Sequence, residues 1–150
     1  MNDMEINAVS IVAVILTSAS PIGEILVAIP TGVALGMDPA LAFIVTYPAN
    51  LLPIIILLPL LDYFERRFPR FFNYFAKEGG RFRKRLEGKY GYIIMVLITP
   101  LIGVYATSVS SKFLKFSKKN SFILQSLSLA IYGIVETLGL YFGLQLIPAL

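Results

Sequence analysis

The sequence contains no cysteine, no histidine and no tryptophan. Lack of cysteine excludes disulfides and thiolate metal sites, and lack of histidine removes the commonest metal ligand and general base. No phosphate-cradling glycine loop, nucleophile–base pair or cluster of metal-ligand residues is present, so neither an enzyme nor a bound cofactor or metal is expected. Charge is scarce as well. Only 15% of the 150 residues are charged, whereas 57% are hydrophobic. Asp3 and Glu5 stand where a cleaved signal would carry Lys or Arg, and no small-residue cleavage site follows. A signal peptide is therefore not expected.

What the chain does have is long uncharged runs. Residues 6–23, 25–37, 39–61, 90–111, 120–135 and 137–150 lack Asp, Glu, Lys and Arg altogether. The run 39–61 spans 23 residues, more than the ~20 a helix needs to cross a bilayer. A single integral membrane domain follows. Residues 6–19 are long enough for half a crossing, and Pro21 and Gly23 interrupt them. A second apolar piece, 22–36, is expected to break again at Pro30, since proline removes a backbone donor and clashes with the preceding turn. Met37-Asp38-Pro39 signals a turn, with Asp38 as N-cap and Pro39 at the first helical position. A spanning helix is expected over 39–61, kinked by Pro48, Pro53 and Pro59 and ended by Asp62. Residues 90–111 are interrupted at Pro100 and Gly103. A last long helix is expected from Ser121 to Ile147, with Gly133, Gly139 and Gly143 as close-packing points.

Between these runs lies 62–89, where phenylalanines alternate irregularly with cations. That mixture suits a helix in the headgroup plane, divided at Gly79-Gly80, with Arg66, Arg67, Arg81, Arg83, Lys84 and Arg85 towards lipid phosphates. It serves either to sense anionic lipid or simply to connect. Nine of the 13 basic residues fall between Arg66 and Lys89, and four between Lys112 and Lys119. Positive residues beside short loops favour the cytoplasm, which argues against a nucleic-acid role. If both clusters are cytoplasmic, 90–111 must dip into the membrane and return. Residues 6–37 then form a similar hairpin from the opposite side, and both termini are extracytoplasmic. The fold expected is thus all-α, with two inverted repeats (about 6–61 and 90–147). Each is a re-entrant helical hairpin plus a transmembrane helix, and the interfacial linker 62–89 joins them. An offset of 79 residues supports this, placing Ser20-Pro21 on Thr99-Pro100 and Phe43-Ile44 on Phe122-Ile123. The alternative is four ordinary kinked spanning helices. Inverted repeats with broken segments are a common transporter plan.

Glu24 is the strongest single candidate for function. An acid within lipid is costly and usually marks a site. It reads either as a proton- or cation-binding carboxylate at a hairpin tip, or as a structural cap on the next half-helix. Glu136, in an otherwise apolar span, reads as its assistant or as a packing residue. Asn50 reads as a substrate- or proton-binding group that bonds broken hairpin backbone, or as a helix-packing residue. Thr99, Tyr105, Thr107 and Ser108 are candidates for a polar cavity that binds substrate or proton, although Ser and Thr in membrane helices often bond their own backbone. The hairpin-breaking residues are Pro21, Pro30, Pro100 and Gly103.

Pro21, Glu24 and Ala28-Ile29-Pro30-Thr31-Gly32 resemble the first signature of the small multidrug export proteins, E-x-R-x-A-I-P-x-G. Asn50-Leu51-Leu52-Pro53 is similar to that family's Asn-containing segment. Lys89-Tyr90-Gly91 followed by Pro100-Leu101-Ile102-Gly103 resembles its second signature. The resemblance covers most of residues 18–145. Leu26 departs from it where the family usually has Arg, so no role of that arginine carries over, and Ile102 and Thr107 replace a proline and a tryptophan. The family resembles the DedA-like membrane superfamily, whose members carry two facing re-entrant hairpins. The resemblance implies a transporter or lipid flippase in the cell membrane, working on a small lipophilic or lipid-linked phosphate substrate. Proton coupling is one way to drive it. Four segments barely enclose a pocket, so a homodimer is expected. The alternative function is a non-transporting membrane scaffold that organises lipids.

Overall fold

A computed structural model describes residues 8–21, 23–78 and 89–146, all of them helix or short connection. The elements are α1 (Ala8–Ala19), α2 (Glu24–Ala34), α3 (Pro39–Arg67), α4 (Pro69–Glu78), α5 (Lys89–Phe113) and α6 (Lys118–Leu146). Among the described residues, three helical stretches are long and apolar enough to cross a membrane: Pro39–Arg67, Tyr90–Phe113 and Lys118–Leu144. The chain divides into two compact units, residues 1–51 with 129–150 and residues 52–128, with α3 and α6 each contributing to both.

In the first unit, α1 and α2 pack on each other. Their 12 and 11 residues reach only about 18 and 16 Å, roughly half a hydrocarbon core. The break between them is made by local chemistry. Thr17 O accepts from Ser20 N at 3.1 Å and from Ser20 Oγ at 2.8 Å, and Ser20 Oγ accepts from Gly23 N at 2.8 Å. Gly23 is required here, because a Cβ would lie 2.0 Å from Thr17 O. α1 is tied to α3 by Ser18 Oγ, which donates to Thr46 O at 2.9 Å. α2 meets α3 where Gly32 faces Ala42, and α6 meets both where Gly133 lies against Phe43 and Ile25. Gly139 and Gly143 are not close-packing points, since a Cβ at either would find no described atom within 4 Å.

In the second unit, α5 is folded back on itself. The rings of Tyr92 and Phe116 lie 5.7 Å apart, whereas 24 residues of straight helix would separate them by about 36 Å. The turn is at Gly103, with φ 86° and ψ 159°, a conformation essentially confined to glycine. α6 is tied to the first limb by Ser128 Oγ donating to Val96 O at 2.5 Å, and to the second by Ser108 Oγ donating to Gln125 Oε1 at 3.0 Å. The ring of Phe72 of α4 lies tilted against that of Phe113 of α5, 5.3 Å between centres.

Three expectations about breaks need correction. Pro30 lies inside α2 and Pro100 inside the first limb of α5, so neither ends a helix. The reason is visible at Pro100. Its missing N–H frees the carbonyl of Val96, and Ser128 supplies a hydroxyl to that same oxygen. Neighbouring hydroxyls are how a membrane helix tolerates proline. Asp62 does not end α3 either; the helix continues to Arg67. Its charge is met by Lys112 and Lys118, while Lys112 also lies 2.6 Å from Glu65. The stop comes from Pro69, which disfavours helix at Phe68 and opens α4 at its first position. The Gly79-Gly80 division lies outside the described residues.

The 79-residue offset extends well beyond a few letters. α3 and α6 are each 29 residues long and begin at Pro39 and Lys118. α2 and α5 end at Ala34 and Phe113. The connections that follow are bonded alike: Gly36 N donates to Val33 O and Met37 N to Gly32 O, then Lys115 N to Lys112 O and Phe116 N to Ser111 O. Gly36 (φ 89°) and Lys115 (φ 58°) share the left-handed position. Asp38 and Ser117 cap the next helix, accepting from Ala40 N and Asn120 N. Even the breaks correspond, since Glu24 (φ 35°) and Gly103 (φ 86°) are 79 residues apart. One local pattern of bonds and dihedrals is therefore used twice.

Candidate functional site

Glu24 is the first residue of α2, just past the Ser20–Gly23 break, and only 9% exposed. Its φ of 35° is a conformation that side chains rarely adopt. Holding a non-glycine residue there costs about 1–3 kcal/mol. Gly103, 79 residues on, takes a positive φ as glycine and bears no such cost. Glu24 thus keeps a carboxylate at a place whose backbone favours its absence. That carboxylate also begins a helix, where the helix dipole favours negative charge.

The same unit holds Glu136 and Asn50. Glu136 is half-buried on α6, three residues beyond Gly133, and Gly133 abuts Ile25, the neighbour of Glu24. Packing therefore brings the α6 turn that bears Glu136 to the start of α2. Among the described residues, Glu136 Oε2 has no hydrogen-bond partner. Asn50 of α3 is fully buried, and both ends of its amide lack a partner among the described residues. Leaving such groups unmet costs roughly 1–3 kcal/mol each, which makes them the polar groups of this unit with capacity to spare. Acids do not gather here in threes: among the described residues no group of three or more His, Cys, Asp or Glu side chains could hold a metal ion.

In the second unit, hydroxyl side chains are buried on the second limb of α5. Thr107, Ser108 and Ser111 are buried, 79 residues on from the buried Ala28, Ile29 and Gly32. Two expected cavity residues bond their own helix: Thr99 Oγ1 donates to Met95 O at 2.6 Å, and Thr107 Oγ1 to Gly103 O at 2.7 Å. Ser108 is spent on Gln125. Thr107 does line a cavity of about 120 Å³ between the limbs of α5, with Gly91, Met95, Ser111 and Leu114 among its other walls. Tyr105 is half-buried on the second limb.

Gln125 is the residue that composition alone did not single out. It is fully buried, and its Nε2 lacks a partner among the described residues. A signal was present, because Ser121, Gln125 and Ser128 recur at helical spacing on one face of α6, as Thr46 and Asn50 do on α3. Among the lipid-facing arginines expected, Arg66 and Arg67 are exposed. Arg81, Arg83, Lys84 and Arg85 lie outside the described residues.

The family model described as "Putative small multi-drug export protein" matches residues 24–135. That is well over half of the sequence. The chain belongs to this family. It is accordingly a membrane protein of a family described by export, a transporter rather than an enzyme in that description. The match to the small multi-drug export family opens at Glu24 itself and takes in Asn50, Thr99, Tyr105, Thr107 and Ser108. No curated protein and no solved structure matches the chain.

Proposed function

We propose that this membrane protein carries a small lipophilic or lipid-linked phosphate molecule across the cell membrane, with Glu24 as the carboxylate that binds a proton or the substrate. The observation that carries the reading is the strained acid: a glutamate at φ 35° where the other repeat uses glycine. Backbone strain persists only where the surroundings over-determine it, and it collects at functional sites. Glu136 assists from the neighbouring turn of α6, and its unmet oxygen is suited to receive a proton or a ligand donor. Asn50 offers both a donor and an acceptor.

The membrane arrangement belongs to the same proposal. The short α1 and α2, and the limbs of α5 on either side of Gly103, are re-entrant hairpins that enter and leave by one face. Each repeat then crosses the bilayer once, through α3 or α6. A single crossing per repeat, with the basic linker cytoplasmic, inverts the second repeat relative to the first. This is the plan of many secondary transporters and of the DedA-like superfamily. Both termini are extracytoplasmic, and the working form is a homodimer.

Reconstituted vesicles test the chemistry. A proton gradient should drive movement of a fluorescent lipid or a cationic dye by the native chain, and Glu24→Gln should abolish that dependence. Flux unchanged in Glu24→Gln removes the residue from the mechanism. Absence of any flux by the native chain favours a membrane scaffold that organises lipids.

A further inference from the structure

At the junction of α3 and α4 an apolar groove of about 340 Å³ is lined by Leu61, Phe64, Phe68, Phe71 and Phe72. Three of its rings are substantially open: Phe64 is 40% exposed, Phe68 53% and Phe71 55%. Arg66, Arg67 and Arg70 lie along the same stretch and are all exposed. The guanidinium of Arg67 sits 5.8 Å from the centre of the Phe68 ring.

The acids of this region are already engaged. Asp62 is paired with Lys112 and Lys118, and Glu65 with Lys112. Among the described residues none of the three arginines has an acidic partner. Lysines drawn from α5 and α6 therefore neutralise the acids and leave three exposed arginines uncompensated on the segment that forms the aromatic trough, one of them against the Phe68 ring. An apolar trough on a segment with uncompensated cations favours an anion attached to an apolar tail.

We infer that this groove is a binding site for one anionic phospholipid, its acyl chain in the trough and its phosphate on Arg66, Arg67 and Arg70. Arginine suits this role, since its planar fork binds phosphate oxygens through two bonds at once. The site is built from other residues than Glu24 and does not depend on transport. It makes the end of α3 a fixed lipid anchor, and each arginine near the anionic headgroup is worth about a fivefold preference.

The full-length protein, purified in detergent and given equal amounts of phosphatidylglycerol and phosphatidylcholine, tests this by mass analysis of the lipid it retains. The native chain is expected to retain phosphatidylglycerol at least about fivefold over phosphatidylcholine. The triple variant Arg66→Gln, Arg67→Gln, Arg70→Gln should lose about fivefold or more of that preference, while the triple Lys variant keeps part of it. Phe68→Ala with Phe71→Ala should reduce retention of both lipids, with the helical circular dichroism unchanged. Equal retention of the two lipids by the native chain overturns the site, as does a preference undiminished in the Gln variant. Cross-linking of two copies through a cysteine introduced at Phe71, undiminished by added phosphatidylglycerol, would assign the groove to a second copy and also overturn it.

Discussion

At position 24 the usual ranking of helix residues should reverse. In an ordinary helix, alanine is favoured over glycine by about 1 kcal/mol. At φ 35° glycine has the advantage. Glu24→Gly should therefore be more stable than Glu24→Ala by about 1 kcal/mol in thermal unfolding, while both lose proton-driven flux. An alanine variant that is the more stable of the two would contradict the strained conformation. The acid itself was legible in the sequence, because a single charge between prolines in an apolar run stands out. Its strain was not, since nothing in the letters around Ser20-Pro21-Ile22-Gly23 states which residue takes the left-handed turn. Gln125 escaped notice for a related reason. A buried amide is read from its neighbours on the helix face, and those neighbours are serines, which also occur at exposed positions.

Among the elements, the folded α5 rests on Gly103 and on the ties to α6. Gly103→Ala places a side chain at φ 86° and should destabilise the protein by about 1–3 kcal/mol. Val in place of Gly133 is a packing test of another kind. Its Cβ would come within 2.4 Å of Phe43, and overpacking of this sort costs roughly 1–3 kcal/mol. Substitution of Gly139, where a Cβ meets nothing within 4 Å, should be close to neutral by the same unfolding assay. The elements themselves were largely legible, because uncharged runs, Pro21 and the Asp38-Pro39 cap mark them. The prolines misled. Pro30 and Pro100 carry the sequence signature of a break, yet whether a freed carbonyl is caught by a distant hydroxyl, as Val96 O is by Ser128, depends on tertiary packing 32 residues away. Asp62 misled similarly, because the lysines that let a helix carry it come from Lys112 and Lys118.

For the whole molecule, the decisive measurement is which side of the membrane each loop occupies. With the proposed inversion, reporter tags at Met37 should be extracytoplasmic, and tags at Lys89 and Lys115 cytoplasmic. A tag at Lys115 found outside would mean that α5 crosses fully, and the hairpin reading would fall. The 79-residue offset was faintly legible from two matched pairs of residues. Its reach into the local bonding was not, because that correspondence is carried by hydrogen bonds and dihedral angles, and residues as unlike as Gly36 and Lys115 occupy the same place in it. Pattern-based comparison of letters sees those two as a mismatch.

The pairing of Glu24 with Gly103 has one more consequence. A chain that uses one motif twice need not ask each copy to do everything. One copy turns its corner with the least demanding residue and gives up the charge; the other keeps the charge and endures the awkward corner. A protein with a single such bend would have to choose between a relaxed backbone and a carboxylate there. This one has a bend of each kind, at Gly103 and at Glu24.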